Sequence, residues 1–182
     1  MKGIKNSLKE RIALLRIRQG DAEAFGFIYD SYIDRIHRYV AFRISDAGLV
    51  HDLIQDVFLE TWEYLVSKRP VDNIRSFLYR VAHNKIVDYY RTRERQAALI
   101  TDLPDEQPIQ NQLEATVDLV LIKKSIVHLK SEYQDVIVLR FIEGLNIAEI
   151  SAVMSKEPPA IRVLLHRALA SLRQVVGGKE EK

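Results

Sequence analysis

Apolar positions along this chain recur three and four residues apart, in blocks separated by residues that cap or break helices. Residues 4–19 read as a first helix closed by Gly20, and Asp21 suits the N-cap of a second from Ala22 to about Ile44. In that second helix Phe25, Ile28, Tyr29, Tyr32, Ile36 and Tyr39–Val40 form an apolar stripe, which predicts core. A break at Ser45–Asp46 opens a third helix, Ala47 to about Ser67, buried through Val50, Leu53, Ile54, Val57, Phe58, Thr61, Trp62 and Leu65. Lys68–Asn73 is a loop in which Pro70 ends one helix and Asp72–Asn73 suit a turn or cap for the next. From Asn73 to Arg95 a fourth helix turns Ile74, Phe77, Leu78, Val81, Ala82, Ile86 and Tyr89 to one side. Arg80, Asn84, Val87 and Arg91 then lie along another stripe at i, i+4, i+7, i+11.

A second module begins near Val117. Val117, Val120, Leu121, Ile126 and Leu129 mark one amphipathic helix, and Ser131 with Gln134 predicts a capping box for the next, which buries Val136 through Ile142 and stops at Gly144. Asn146 and Glu149 predict another capping box, with Leu145 stapled to Ile150, at the head of a short helix, Ile147–Met154. After a tight turn, the last helix runs from about Pro158 to Val176. Ile161, Leu164, Leu165, Ala168 and Leu172 face inward there, and Arg162, His166, Arg167 and Arg173 face outward. A short helix, a four-residue turn and a longer helix with a basic outer face make a helix-turn-helix, whose second helix fits a major groove. The expected fold is all-α: two small helical domains, 1–95 and 117–176, joined by a flexible acidic linker, 96–116, with a disordered tail at 177–182. The second is a four-helix domain carrying the helix-turn-helix.

Charge sharpens this division. The 182 residues carry a formal charge of only +2, but residues 1–95 hold 17 basic and 13 acidic side chains, 96–118 hold none and 5, and 119–182 hold 10 and 7. Two basic blocks flanking an acidic segment point to two nucleic-acid-facing modules. The third helix departs from this pattern: Asp52, Gln55, Asp56, Glu60 and Glu63 surround Leu59 on the face opposite its core arc. An acidic face repels DNA, and an apolar centre with a charged rim fits a protein partner. Zero cysteines exclude disulfides and thiolate metal sites and fit a reducing compartment. No membrane span or export signal is expected, and the sequence offers no phosphate loop, metal cluster or nucleophile triad. Asp52, Asp56 and Glu60 as metal ligands would make an enzyme, but nothing converges on them, so neither catalysis nor a cofactor is expected.

In order, GDAEAFGFIYDSY, DLIQDVFLETW, FLYRVAHNKIVDYYRTRER, LKSEYQDVIVLRFIEGLNIAEISAVM and AIRVLLHRAL span essentially residues 20–175. Together they resemble the motifs of the extracytoplasmic-function group of bacterial sigma factors. The resemblance implies a cytoplasmic promoter-specificity subunit that binds core RNA polymerase at the largest-subunit clamp helices and the flap, without catalysis of its own. It assigns Asp52, Gln55, Asp56, Leu59, Glu60 and Glu63 to polymerase docking. It assigns Lys68, Arg69, Asp72, Asn73, Tyr79, Arg80, Asn84, Lys85, Asp88 and Arg91 to the −10 promoter element, held as single strand. Pro159, Ala160, Arg162, His166 and Arg167 would read the −35 element as duplex. The resemblance also implies promoter DNA and an anti-sigma factor as partners. The last helix departs from the family pattern at Glu157–Ala160, where a small or hydroxyl cap and glycine are usual. The rival reading is an autonomous helix-turn-helix regulator that binds duplex DNA without polymerase.

Overall fold

The computed structural model describes residues 2–99 and 124–177, and among these the regular structure is helical throughout. The N-terminal half holds α1 (Lys2–Arg18), α2 (Glu23–Arg43), α3 (Ala47–Val66) and α4 (Ile74–Leu99). In the C-terminal half, residues 124–126 form a helical turn. It precedes α5 (Ser131–Ile137), which runs on through a π-helical turn (Val138–Ile142), and then α6 (Ile147–Met154) and α7 (Pro158–Gly177). Most of the expected linker, the beginning of the second module and the tail lie outside the described residues. The linker's first residues do not: α4 continues past Arg95 to Leu99, because Gln96, Ala97, Ala98 and Leu99 all favour helix.

Local chemistry explains where the helices begin and end. Gly20 takes φ +93°, so its N–H reaches the Ile17 carbonyl at 2.9 Å while that of Asp21 reaches Arg16 at 3.1 Å, the paired closure of a left-handed helix end. Asp21 then accepts from the backbone N–H groups of Glu23 (3.1 Å) and Ala24 (3.3 Å) and pairs with Arg16 at 2.6 Å. The Arg16 hydrogen bond, with help from those backbone groups, holds the Asp21 carboxyl below its usual range. Asp46 caps α3 through the Leu49 N–H (2.9 Å), and Asn73 caps α4 through that of Ser76 (3.0 Å). The box at α6 is complete: Asn146 accepts from the Glu149 N–H at 2.9 Å, and Glu149 accepts from the Asn146 N–H at 2.8 Å.

The predicted stripes of α2, α3 and α4 form the N-terminal core, knitted by edge-on aromatic contacts of Phe25 with Phe58 and Trp62 and by Tyr64 against Phe77 at 4.5 Å. Tyr29 departs from its stripe: it is 42 % exposed and leans on the Phe58 ring from outside. The predicted box at the head of α5 also does not form. Arg43 of α2 engages both of its members, donating to Ser131 Oγ (2.5 Å) and to the Gln134 carbonyl, while the Gln134 amide turns back to Leu129 O at 2.8 Å. A contact between the halves has displaced a local one. The halves pack together, with α6 lying against α4 and the π-helical turn touching α2.

Candidate functional site

Three surfaces hold the residues singled out by the sequence. On α3, Asp52, Gln55, Asp56, Leu59, Glu60 and Glu63 are all exposed, since the same helical period that buries Leu53, Val57 and Leu65 turns them outward. Leu59 is 56 % exposed at their centre. Lys85, assigned to DNA, reaches across from α4 to this acidic face instead, 3.0 Å from Glu60 and 3.9 Å from Asp56. Its hydrogen bond to Glu60 raises the affinity of the ammonium for its proton.

The second surface is the 68–73 loop and the outer stripe of α4. Lys68 adopts a left-handed φ of +62° as α3 ends, which turns the loop sharply, and Arg69 lies over the Tyr64 ring at 5.5 Å. Asp72, Asn73, Asn84, Asp88 and Arg91 are exposed, with Asp88 and Arg91 paired at 3.3 Å. Arg80 is half-buried above Phe77. Tyr79 differs from the rest: it is fully buried, and its hydroxyl donates to Glu143 at 2.6 Å. Burial first, and then the Glu143 charge, push its phenol well above the ordinary range. In this arrangement Tyr79 is an interior contact between the halves, not a platform for a base. A cleft of about 490 Å³ separates loop and helix from α6, with Pro70, Asn73 and Arg80 on one wall and Asn146 and Glu149 on the other.

The third surface is α7. The α6–α7 turn passes through Ser155 at φ +52°, and the Ser151 hydroxyl donates to the Lys156 carbonyl at 2.5 Å. Ile161 and Ala168 anchor α7 inward, leaving Pro159, Ala160, Arg162, His166 and Arg167 on an exposed outer face. Two cations and an imidazole on a projecting helix suit a phosphate-lined major groove.

Sequence reasoning missed the residues that join the halves. Glu143, its side chain fully buried, receives Arg38 in a bidentate pair (2.7 and 2.9 Å) as well as Tyr79. Asp135 meets Arg43 at 2.8 Å with both side chains 2 % exposed, accepts from the Tyr39 hydroxyl at 3.4 Å, and has the His83 ring at 3.8 Å. Arg75 donates to the Glu143 carbonyl and lies 3.7 Å from Glu149, which also accepts from Asn73 at 3.4 Å. The available signals were an arginine closing an apolar stripe and carboxylates inside apolar runs.

The order of the modules matches known proteins. Residues 28–96 match the model of sigma-70 region 2, and residues 119–172 match that of sigma-70 region 4. The ECF RNA polymerase sigma factor BldN of Streptomyces coelicolor is 27% identical over 177 residues, covering 88% of this chain and 63% of BldN. The ECF RNA polymerase sigma factor SigW of Bacillus subtilis is 24% identical over 180 residues, 92% of this chain and 95% of SigW. The chain belongs to the extracytoplasmic-function sigma factors. Its fold is that of the sigma factor RpoE of Bartonella quintana, solved in complex with the anti-sigma factor NepR, with a TM-score of 0.74 at 18% identity, covering 86% of this chain and 98% of RpoE. In this sigma factor, α2–α4 carry region 2, and α6 and α7 form the helix-turn-helix of region 4.

Proposed function

We propose that this sigma factor divides its work among the three surfaces. The α3 face, Leu59 within its ring of Asp52, Gln55, Asp56, Glu60 and Glu63, docks on core RNA polymerase, against the clamp helices of the largest subunit. The 68–73 loop with Arg80, Asn84, Asp88 and Arg91 captures the −10 element as single strand. The outer face of α7 reads the −35 element as duplex, with region 4 held near the polymerase flap. Tyr79 joins the −10 set only if the two halves part, and Lys85 borders docking and DNA surfaces. The protein carries out no catalysis itself, acts in the cytoplasm, and is held in check by an anti-sigma factor.

One observation carries this reading: an exposed acidic face and exposed cationic or amide faces occur on one small molecule, so protein and nucleic acid are bound on separate sides. Opening a duplex costs stacking energy, which a protein without ATP offsets by holding the displaced strand and stacking its bases. A net charge of +2 supplies little affinity for naked DNA, leaving most phosphate contacts to polymerase. The test is run-off transcription with bacterial core polymerase on fragments of the source genome. Discrete transcripts dependent on this protein are expected. Their absence, together with tight binding of the protein alone to duplex DNA, would favour the autonomous regulator instead.

A further inference from the structure

The outward face of α7 is charged at its edges and apolar along its crown. At about 100° per residue, Val163 lies nearly opposite Ile161 and Ala168, which anchor the helix, so it marks the line of the face farthest from the core. It is 50 % exposed. Pro159 and Ala170 fall within about 40° of it around the axis, and Ala160 within about 60°, all of them exposed. None of these four side chains carries a hydrogen-bonding group. The backbone adds little: Pro158 and Pro159 have no N–H, and that of Ile161 is bonded to the Glu157 carbonyl at 3.1 Å. Arg167 stands on one side of this ridge, at about 40° from Val163, and His166 and Arg162 on the other, at about 60° and 100°.

A single exposed valine is ordinary on most surface helices. This one occupies the second helix of a helix-turn-helix, within the N-terminal turns that meet base edges when such a helix enters the major groove. There every base pair presents hydrogen-bond donors and acceptors, and the one apolar group is the C5-methyl of thymine. Over any other edge, the valine would strip water from a base atom and return no hydrogen bond. Over the methyl, it buries apolar surface on both partners. We propose that Val163 is a specificity-determining residue for the −35 element, packing on the C5-methyl of a thymine while Arg162, His166 and Arg167 grip the duplex on either side. This rests on the −35 assignment of α7 made above and adds a base that the element must contain. The cations alone do not call for it, since guanidinium groups favour phosphate or guanine.

The test uses the full-length protein with core polymerase, which together select a −35 element from a pool of randomised duplexes. The element should contain a thymine whose replacement by uracil, which removes only the C5-methyl, weakens binding about three- to fivefold, the worth of one buried methyl group. Val163→Ala should lose a similar factor on the thymine duplex and be indifferent to the uracil. Val163→Thr keeps a methyl on the crown and should keep the sensitivity. Both variants should retain helical circular dichroism, because the side chain is exposed. An element without a methyl-sensitive thymine, or equal sensitivity in Val163→Ala, overturns the role of Val163. Arg162→Ala and Arg167→Ala separate that failure from failure of the −35 assignment. If they weaken binding while methyl sensitivity is absent, α7 still reads the duplex through its cations and only the thymine contact falls. If they and Val163→Ala all bind like the unsubstituted protein, or no element is enriched, the −35 assignment falls together with the proposal.

Discussion

His83 sits where burial and a carboxylate act in opposite directions on one proton. Desolvation lowers its affinity for that proton, and Asp135, 3.8 Å away, restores only part of it against the further opposition of Arg43. Glu132 and Lys156, themselves paired at 3.0 Å, act more weakly and in opposite directions, and the Tyr39 hydroxyl lies 3.3 Å from Nδ1. With its folded value below the ordinary 6.5, the ring stays neutral in the fold and picks up its proton more readily when unfolded. Its contribution is therefore complete above 6.5 and drains away as pH falls from there towards the folded value. Urea unfolding between about pH 5 and 8 should show this slope, and His83→Gln should remove it. Asn84 makes a different case. Its place in the α4 stripe predicted an outward amide, and it is exposed. Asn84→Ala should weaken −10 strand binding by about 1–3 kcal/mol, the worth of an amide on a base edge, and leave −35 duplex binding intact; equal loss of both in a filter assay would make Asn84 a structural residue. Tyr79, three residues from Ala82 on the same helix, shows where the reading by resemblance stops, because the partner of its buried hydroxyl is Glu143, 64 positions away in sequence.

At the scale of the helix, boundaries were legible wherever a side chain caps its own neighbours. Asn73 and Asn146 serve as expected, and Asp46, at the expected break, caps α3 as well, because a cap is a contact within three residues and needs no knowledge of the fold. Ser131 and Gln134 fit the same motif, yet Arg43 takes both, since an arginine arriving from another helix outbids a neutral local bond. Asn146→Ala should cost about 1 kcal/mol of stability through loss of the α6 cap, read as a lower denaturant midpoint. The Asp56 side chain is 58 % exposed and its nearest cation is 3.9 Å away, so Asp56→Lys should leave thermal melting unchanged. It should slow association with core polymerase by about tenfold, because it reverses a rim charge; unchanged binding in surface plasmon resonance would remove α3 from the docking site.

For the whole molecule, the two classes of charge pair should respond differently to salt. Exposed groups such as Asp56 and Glu60 are screened within about 8–10 Å at moderate ionic strength. The Glu143 and Asp135 carboxylates, at 0% and 2% exposure, lie beyond the reach of counterions. Raising salt from roughly 0.05 to 0.5 M should weaken polymerase docking while leaving the radius of gyration, measured by small-angle X-ray scattering, nearly constant. Expansion over that range would mean that surface charge, and not the buried pairs, holds the halves together.

The sequence by itself determined the all-α class, the helix order, the capping of α4 and α6, the acidic face of α3 and the outward side chains of α7. Each follows from a period of 3.6 residues or a contact within one turn, and such relations are written in neighbouring letters. Only the tertiary structure decided that Arg38, Arg43 and Arg75 meet Glu143, Asp135 and Glu149, that Tyr79 faces inward, and that the 68–73 loop faces α6. No helical period distinguishes a charge bound for solvent from one bound for a partner about a hundred residues away. What separates them is the cost of desolvation, and that is incurred only when the two halves meet.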